Sequence, residues 1–274
     1  FTSAEYMKDE NQKNPLGWTK DSVLTDEIVK CLDSTEGPDY VYTISVQGHG
    51  DYPSEPVLEN PEITVSGAET EAQNNQWEYY CNEIHEMDNF VKELTDKLAD
   101  YPEDVVLVMY GDHLPTMGLT VEDLKNKYLF QTEYVMWDNF GLTKNDRDLK
   151  TYQLYSYVMD QLDMHRGVIT SLHQFLSDSG SYYSSLHALQ YDILYGECYA
   201  YGGVKPFEKT DMQMGIDPIT VTDIVSVGDY LYVVGENFTS ASKIFINGKQ
   251  VDTVYLNSGR IRTGEDVSMD GGDE

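Results

Sequence analysis

Basic residues, cysteines and long apolar runs are all scarce in this chain of 274 residues. No stretch reaches the ~18 consecutive apolar residues of a membrane-spanning helix, and none has the pattern of a signal peptide. Lys and Arg number 18 against 48 Asp and Glu, so the formal net charge is −30. Because such a surface repels phosphate backbones, the composition argues against nucleic-acid binding.

The few cysteines exclude a cysteine-based metal cluster. Cys31, Cys81 and Cys198 lack the close spacing that such clusters require. Cys31 and Cys81 fall in segments with helical periodicity, where we expect them to be small core-filling side chains. A disulfide between any two of the three remains open, and cysteine usage is compatible with an oxidising compartment without requiring one.

The most informative segment is Val105–Pro115, VVLVMYGDHLP, where an apolar run ends in Gly-Asp-His. The run predicts a strand buried on both faces, as in parallel sheets that are covered by helices. Ligands bind beyond the carboxyl ends of such strands, and Gly111 allows the chain to turn there. Asp112 and His113 offer a carboxylate oxygen and an imidazole nitrogen, which together would form half of a divalent metal site. On the residues alone, the alternative is a solvated turn.

A second segment has a similar ending. Asp39–His49, DYVYTISVQGH, predicts a strand that is followed by Gly48, His49 and Gly50. A long helical segment separates it from the first strand, so the two strands predict a βαβ unit with a right-handed crossover. Both histidines, His49 and His113, are then expected on the same rim of the sheet.

Periodicity and turn residues divide the rest of the chain. The helix at 77–98 has an apolar stripe that includes Tyr80, Ile84 and Leu94, and residues 51–71 form an irregular loop. From residue 217 onward, short alternating strands broken by turns such as Asn247-Gly248 predict a small β module. We therefore expect an α/β domain at 1–211, a β module at 212–264 and an acidic, disordered tail at 265–274. Further helices are predicted at 20–32, 121–130, 149–162, 170–176 and 185–194, and a strand at 133–137.

The ordered segments ISVQGHGDYP, EYYCNEIHEMDNFVKELTDKL and VVLVMYGDHLP resemble a known family. They are similar to the carboxyl-terminal half of the catalytic domain of lipoteichoic acid synthase-type phosphoglycerol transferases, within the sulfatase and alkaline phosphatase superfamily. The resemblance covers residues 17–139 and implies an α/β sheet flanked by helices, amino-terminally incomplete in this chain. The segment VVGENFTSASKIFINGK resembles the core of an immunoglobulin-like module of the IPT/TIG type.

The resemblance also implies a site. Asp112 and His113 match the family's ligands to one divalent metal ion, usually manganese, with magnesium and zinc as alternatives. His49 matches the histidine that contacts the phosphate or the leaving group, which gives it a catalytic and substrate-binding role. Trp137 and Asn139, at the end of the strand predicted at 133–137, are expected to approach the site. The family's metal-binding Glu and nucleophilic Thr have no match, so we expect them upstream of Phe1 and expect the chain alone to be inactive.

The implied activity is a metal-dependent phosphoglycerol transferase or phosphodiesterase acting on a cell-envelope glycerophosphate polymer or lipid. Its expected location is the extracellular face of a bacterial cell membrane, with attachment only through an absent amino-terminal segment. The acidic surface requires that the charge of a substrate phosphate be neutralised locally, which is a task for the metal. Alternatives are a sulfatase or phosphatase of the same superfamily, or a non-catalytic protein that binds or scaffolds the cell surface.

Overall fold

A computed structural model describes residues 1–7, 12–206 and 217–264. The chain divides into two compact units: Phe1–Asn139 with the described part of Met212–Glu274, and the described part of Phe140–Asp211. The domain boundaries expected at 211 and 264 remain a prediction. The tail at 265–274 lies outside the described residues.

Two helices organise the first unit. Helix α1 spans Val23–Leu32 and helix α2 spans Glu71–Ala99, so both predicted helices are present. Helix α2 begins at a capping box, in which the Thr70 side chain accepts from the Gln73 N–H and the Gln73 side chain accepts from the Thr70 N–H. This pair satisfies two backbone N–H groups that a helix end otherwise leaves without partners.

The strand that was predicted from the apolar run is β1, Val106–Tyr110, and the one predicted near residue 135 is β2, Tyr134–Asp138. They pair antiparallel, with Val106 opposite Asp138 and Tyr110 opposite Tyr134. The prediction that β1 is buried on both faces within a parallel sheet is wrong for the described residues. Most of its side chains are half-buried, because one edge of β1 pairs with β2 and one face packs on the helices.

The predicted strand at Asp39–His49 does not form, since residues 38–46 lie outside the helices and strands of the described structure. Tyr42 and Ile44 are exposed there, although the Tyr42 hydroxyl lies 3.1 Å from the Tyr110 hydroxyl of β1. Alternating apolar residues favour a strand only where a neighbouring strand supplies hydrogen bonds, and the described residues pair no strand with this segment.

The prediction of a helix at 121–130 is also wrong. Only the 3₁₀ turn Val121–Asp123 forms, and Lys127 has a φ of 60°, in the left-handed region that interrupts a right-handed helix. A helix this short requires tertiary packing for its stability. Val121 is exposed, so that packing is missing at the start of the segment.

The core of the first unit lies between α1, α2 and the β1–β2 pair. The stripe predicted on α2 is correct in its second half, where Leu94 and Leu98 are buried. In the first half the helix instead buries Tyr79, Asn82 and Glu83, while Ile84 is exposed. The buried members of the core are Val23, Leu24, Phe90, Leu94 and Leu98, with half-buried side chains that include Val105, Leu107 and Trp137 packed on them.

Within its described residues, the second unit contains three α-helices, close to the positions that the sequence predicted: α3 (Leu154–Gln161), α4 (Val168–Leu176) and α5 (Tyr182–Leu194). Helix α4 packs against both of the others. Buried His173 of α4 lies with its Nδ1 2.8 Å from the Tyr182 hydroxyl of α5. Burial lowers the pKa of His173, so this histidine is neutral and structural near physiological pH.

The carboxyl-terminal residues form the predicted β strands. The strands are β3 (Thr220–Val227), β4 (Tyr230–Glu236), β5 (Ile244–Ile246), β6 (Lys249–Val251), β7 (Thr253–Asn257) and β8 (Arg260–Thr263). Four of them make an antiparallel sheet in the order β3-β4-β8-β7, and β5 and β6 make a separate hairpin. That hairpin turns at Asn247-Gly248, where both residues have positive φ, as a type I′ turn requires. The core of these strands is Val233, Phe238, Ile244 and Ile261.

None of the helices in the described residues is both long enough and apolar enough to cross a lipid bilayer.

The packing of α2 on the core predicts the effect of a single truncation. Leu98 is 1% exposed, and we expect Leu98→Ala to lower the free energy of unfolding by about 2–5 kcal/mol, because the truncation leaves a cavity. Ile84 is 40% exposed on the same helix, and Ile84→Ala should cost about 1 kcal/mol or less. Urea denaturation followed by circular dichroism measures both. Equal losses for the two variants would contradict this description of the core.

Candidate functional site

Asp112 and His113 begin the loop that follows β1. The β1–β2 pairing extends one residue beyond the strand, because the Gly111 N–H donates to the Glu133 carbonyl at 3.2 Å. The Thr132 hydroxyl donates to the Gly111 carbonyl at 2.6 Å. Both the N–H and the C=O of Gly111 are therefore bound by the residues just before β2, which places the start of this loop relative to the sheet.

The two side chains are exposed and point toward the same place. The His113 Nε2 lies 3.7 Å from the Asp112 Oδ1, which also accepts from the His113 backbone N–H at 2.8 Å. The His113 Nδ1 lies 2.9 Å from the Leu114 carbonyl oxygen, which can only accept, so this hydrogen bond assigns a proton to Nδ1 and makes Nε2 the nitrogen that could bind a metal. Metal-binding histidines are commonly oriented by such a bond to a backbone carbonyl.

This pair fits a divalent cation as part of its ligand set. One carboxylate oxygen and one imidazole nitrogen suit Mn²⁺, Mg²⁺ or Zn²⁺ as donor types. Among residues 1–7, 12–206 and 217–264, however, no group of three or more His, Cys, Asp or Glu side chains has a metal-binding arrangement. Asp112 and His113 therefore account for two ligands of such a site.

His49 lies beside this pair. Its ring centroid is 6.3 Å from that of His113 and 5.2 Å from that of Trp18, in edge-to-face contacts. The loops that carry the two histidines approach so closely that a Cβ added at Gly50 would lie 2.9 Å from the Thr116 Oγ1. The structure thus brings His49, Asp112 and His113 close together, although residues 38–46 and β1 do not form the predicted parallel pair.

The turn before His49 is held from one side by Asp21, which lies two residues before the start of α1. The Asp21 Oδ1 accepts from the backbone N–H groups of Val46 and Gln47 at 3.1 and 3.2 Å. In return, the Gln47 Oε1 accepts from the Asp21 N–H at 2.9 Å. The His49 N–H closes the turn by donating to the Val46 carbonyl at 3.0 Å. Asp21 and Gln47 are each only 2% exposed, so water does not compete for these bonds.

Two further side chains hold the carbonyl groups of the same turn. The Asn14 Nδ2 donates to the Gln47 carbonyl at 3.1 Å. The Tyr52 hydroxyl donates to the Gly48 carbonyl at 3.1 Å, and the buried Tyr52 ring packs edge-to-face on Tyr80 of α2. The turn that carries His49 is therefore anchored through both its N–H and its C=O groups.

Buried carboxyl groups lie beneath the site. Burial raises the pKa of Asp21 above its ordinary value of 3.8, against the lowering effect of its bonds from Gln47 and Val46. Burial likewise raises the pKa of Glu83 above its ordinary value of 4.5, against the lowering effect of its bond from Asn14. Glu86 on the next turn of α2 forms an ion pair with Lys20 at 2.8 Å. Burial of the Asp21 and Glu83 carboxyl groups therefore lowers the stability of the folded state when these groups are ionised.

Several residues of this arrangement were not predicted from the sequence. Trp18, Asn14 and Asp21 precede α1, where polar residues indicate only the start of a helix. Their partners near Gln47 are distant in the chain, and no local pattern joins them. One expectation was wrong: Trp137 packs in the core, and Asn139 binds the backbone at Val105, the end of β1 opposite Asp112, because β2 is antiparallel to β1.

Known proteins resemble this chain over parts of its length. Residues 1–168 match the family described as Sulfatase. A protein from Rhizobium meliloti (strain 1021), named "Putative cyclic beta-1,2-glucan modification protein", is 28% identical over 137 residues, which are 44% of this chain and 21% of that protein. The structure of Streptococcus pyogenes phosphoglycerol transferase GacH in complex with sn-glycerol-1-phosphate matches with a TM-score of 0.59 and 18% identity, over 67% of this chain and 51% of that chain.

These matches confirm the predicted α/β fold class. At 18% identity, the likeness to the solved structure is evidence of the fold alone. The chain spans about a fifth of the length of the Rhizobium relative and about half that of the streptococcal one.

The buried Glu83 predicts a pH dependence of stability. Well below pH 4.5 the carboxyl is protonated in both the folded and the unfolded state. As the pH rises above 4.5 the unfolded chain ionises first, because the folded pKa is the higher one, and the folded state loses stability until the pH passes the folded pKa. We therefore expect the unfolding free energy of the native protein, minus that of Glu83→Gln, to fall over this window. Denaturant titrations at a series of pH values measure it.

The control for this series is Asp88→Asn, which changes an exposed carboxyl on the same helix. Its difference from the native protein should stay level over the same pH window. A level difference for Glu83→Gln as well would contradict the assignment of a raised pKa to Glu83.

Proposed function

The chain belongs to the Sulfatase family, as its resemblance to that superfamily predicted, and we propose that it forms the metal- and phosphate-binding part of a phosphoglycerol transferase or phosphodiesterase. The observation that carries the proposal is the convergence of His49 with Asp112 and His113 at one exposed place. Because the chain covers 51% of the solved relative, these residues account for only part of the proposed activity.

Asp112 and His113 would hold the divalent cation. Manganese is the first candidate, and magnesium and zinc are the alternatives, since all three accept an oxygen and an imidazole ligand. When bound, such a cation supplies a Lewis acid that offsets the negative charge of a phosphate. That contribution matters in a chain with a formal charge of −30, because the surrounding surface repels an anionic substrate.

His49 is the candidate for proton transfer and phosphate contact. Its imidazole is exposed and lies beside His113, so a phosphate group held near His113 comes within reach of it. An imidazolium can donate a hydrogen bond to a phosphate oxygen or a proton to a departing oxygen, and imidazole is the side chain whose protonation changes most readily near neutral pH. Either role requires that His49 hold a fixed position relative to Asp112 and His113.

The proposed substrate is the glycerophosphate group of a cell-envelope polymer or lipid. The solved relative is named as a phosphoglycerol transferase and carries sn-glycerol-1-phosphate, which supports this substrate class. The three site residues are all exposed, so the site is open to a polymer end or a lipid headgroup. The corresponding location is the extracellular face of a bacterial cell membrane.

A second candidate is a non-catalytic protein that binds the same phosphate-bearing surface. One observation favours it: the part of the chain that the structure describes provides two candidate ligands and no third. Sulfate and phosphate esters share tetrahedral oxyanions, so a sulfatase or phosphatase would use the same residues. Release of glycerol phosphate from a synthetic phosphodiester would separate an enzyme from a binding protein.

The proposed metal site predicts the outcome of calorimetry with manganese. We expect the native chain to bind Mn²⁺ in the micromolar range, and we expect Asp112→Ala to weaken this binding about tenfold or more, because the variant loses an anionic ligand. Asp163→Ala is the matched control, since Asp163 also pairs with a histidine, His165, at 3.0 Å. Equal affinities for Mn²⁺ in the native chain and in Asp112→Ala would contradict the proposal that Asp112 binds the metal.

A further inference from the structure

We propose that Asp21 and Asn14 are positioning residues, which hold His49 in place through buried hydrogen bonds to the turn at residues 46–49. The consequence for substrate rests on the function proposed above, in which His49 contacts a phosphate group. The positioning itself is a property of the chain without ligand, so the two parts can be tested separately.

The imidazole of His49 makes few contacts of its own. It is exposed, and among the described residues it makes ring contacts with Trp18 and His113 and no side-chain hydrogen bond. Its location therefore depends on the backbone that carries it and on the ring of Trp18. Asp21 and Asn14 both hold this backbone, and Asn14 also holds the backbone of Trp18.

Asp21 fixes the backbone. A single oxygen, Oδ1, accepts from two consecutive N–H groups, those of Val46 and Gln47. The Asp21 N–H in turn donates to the Gln47 Oε1. Two N–H groups that converge on one oxygen set the orientation of the turn as well as its distance from α1. Hydrogen bonds to a charged acceptor are also stronger than neutral ones.

Asn14 fixes both the turn and Trp18. Its Nδ2 donates to the Gln47 carbonyl, and to the Glu83 Oε2 of α2 at 3.2 Å. Its Oδ1 accepts from the N–H groups of Leu16 and Trp18 at 3.1 and 2.9 Å. One buried side chain thus joins the loop of Trp18 to the turn of His49, which explains how the two rings meet at 5.2 Å.

A displacement of His49 matters because proton transfer and phosphate contact require hydrogen-bond distances. A misplacement of about 1 Å by a distant substitution can cost about a hundredfold in rate. Asp21 is 2% exposed and its side chain binds the turn that carries His49, so we expect its effect on a ligand to pass through His49. That requirement makes the proposal testable with a double-mutant cycle.

The cycle uses the affinity of the full chain, with Mn²⁺ present, for sn-glycerol-1-phosphate. We expect His49→Ala to weaken binding about tenfold, as for the loss of a hydrogen bond to a charged group. Asp21→Ala should weaken it by a similar factor, and the double variant should be no weaker than His49→Ala alone. Asp21→Asn should bind as the native chain does, because its Oδ1 still accepts both N–H groups and the Asp21 Oδ2 has no hydrogen-bond partner among the described residues.

A second measurement requires neither metal nor phosphate. Nuclear Overhauser effects between the Trp18 and His49 rings should be present in the native chain and in Asp21→Asn, and at least twofold weaker in Asp21→Ala. Asn139→Ala controls for general loss of stability, because Asn139 binds backbone at the opposite end of β1. If His49→Ala leaves the affinity unchanged, the proposal that His49 contacts the phosphate is wrong. The Overhauser effects between the Trp18 and His49 rings still test whether Asp21 positions His49.

Two results would overturn the proposal. The first is a double variant whose loss of affinity equals the product of the losses for Asp21→Ala and His49→Ala. The second is an Asp21→Ala variant in which the Overhauser effects between the Trp18 and His49 rings are as strong as in the native chain. If Asp21→Ala does not fold, Asn14→Asp replaces it in both measurements. That variant keeps the acceptor for Leu16 and Trp18 but loses the donor to the Gln47 carbonyl. The same pattern of affinities and ring contacts is expected from it, and its absence would equally overturn the proposal.

Discussion

The hydrogen bonds that the Val46 and Gln47 N–H groups donate to the buried Asp21 carboxylate join the helical core to the turn that carries His49. Keeping a carboxylate out of water is costly, and the raised pKa of Asp21 shows that these bonds do not fully offset that cost. A hydrophobic residue at this position would be buried at a lower cost in free energy. The carboxylate supplies directional contacts instead, and these define where the turn lies.

The site is assembled from loops on a rigid support. Helices α1 and α2 and the β1–β2 pair share one core, and each loop of the site leaves this core at an anchored point. Gly111 continues the sheet up to Asp112, whereas Asn14 and Tyr52 hold the carbonyl groups before His49. Binding residues in proteins commonly lie on exposed loops that are anchored to a buried core, since such loops remain accessible to ligands.

Charge places a constraint on any function of this site. With a formal charge of −30, the chain opposes the approach of an anionic group, and Asp112 adds local negative charge. A divalent cation held by Asp112 and His113 would reverse the sign of the local potential over a short distance, within the roughly 8 Å over which charges act at physiological salt. The acidic surface would be compatible with the proposed phosphate-binding site, because the effect of a bound cation is local.

The sequence by itself determined the long helix α2, the strand β1 and the hairpin at Asn247-Gly248, which follow from periodicity and turn residues within a few positions of one another. The choice of Asp112, His113 and His49 as site residues rested on the resemblance to a known family. Only the tertiary structure decided that β2 pairs antiparallel with β1, that residues 38–46 form no strand, and that Asp21 binds Gln47, 26 positions away. Strand pairing and buried hydrogen bonds depend on which distant groups meet after folding, and no local pattern encodes that meeting.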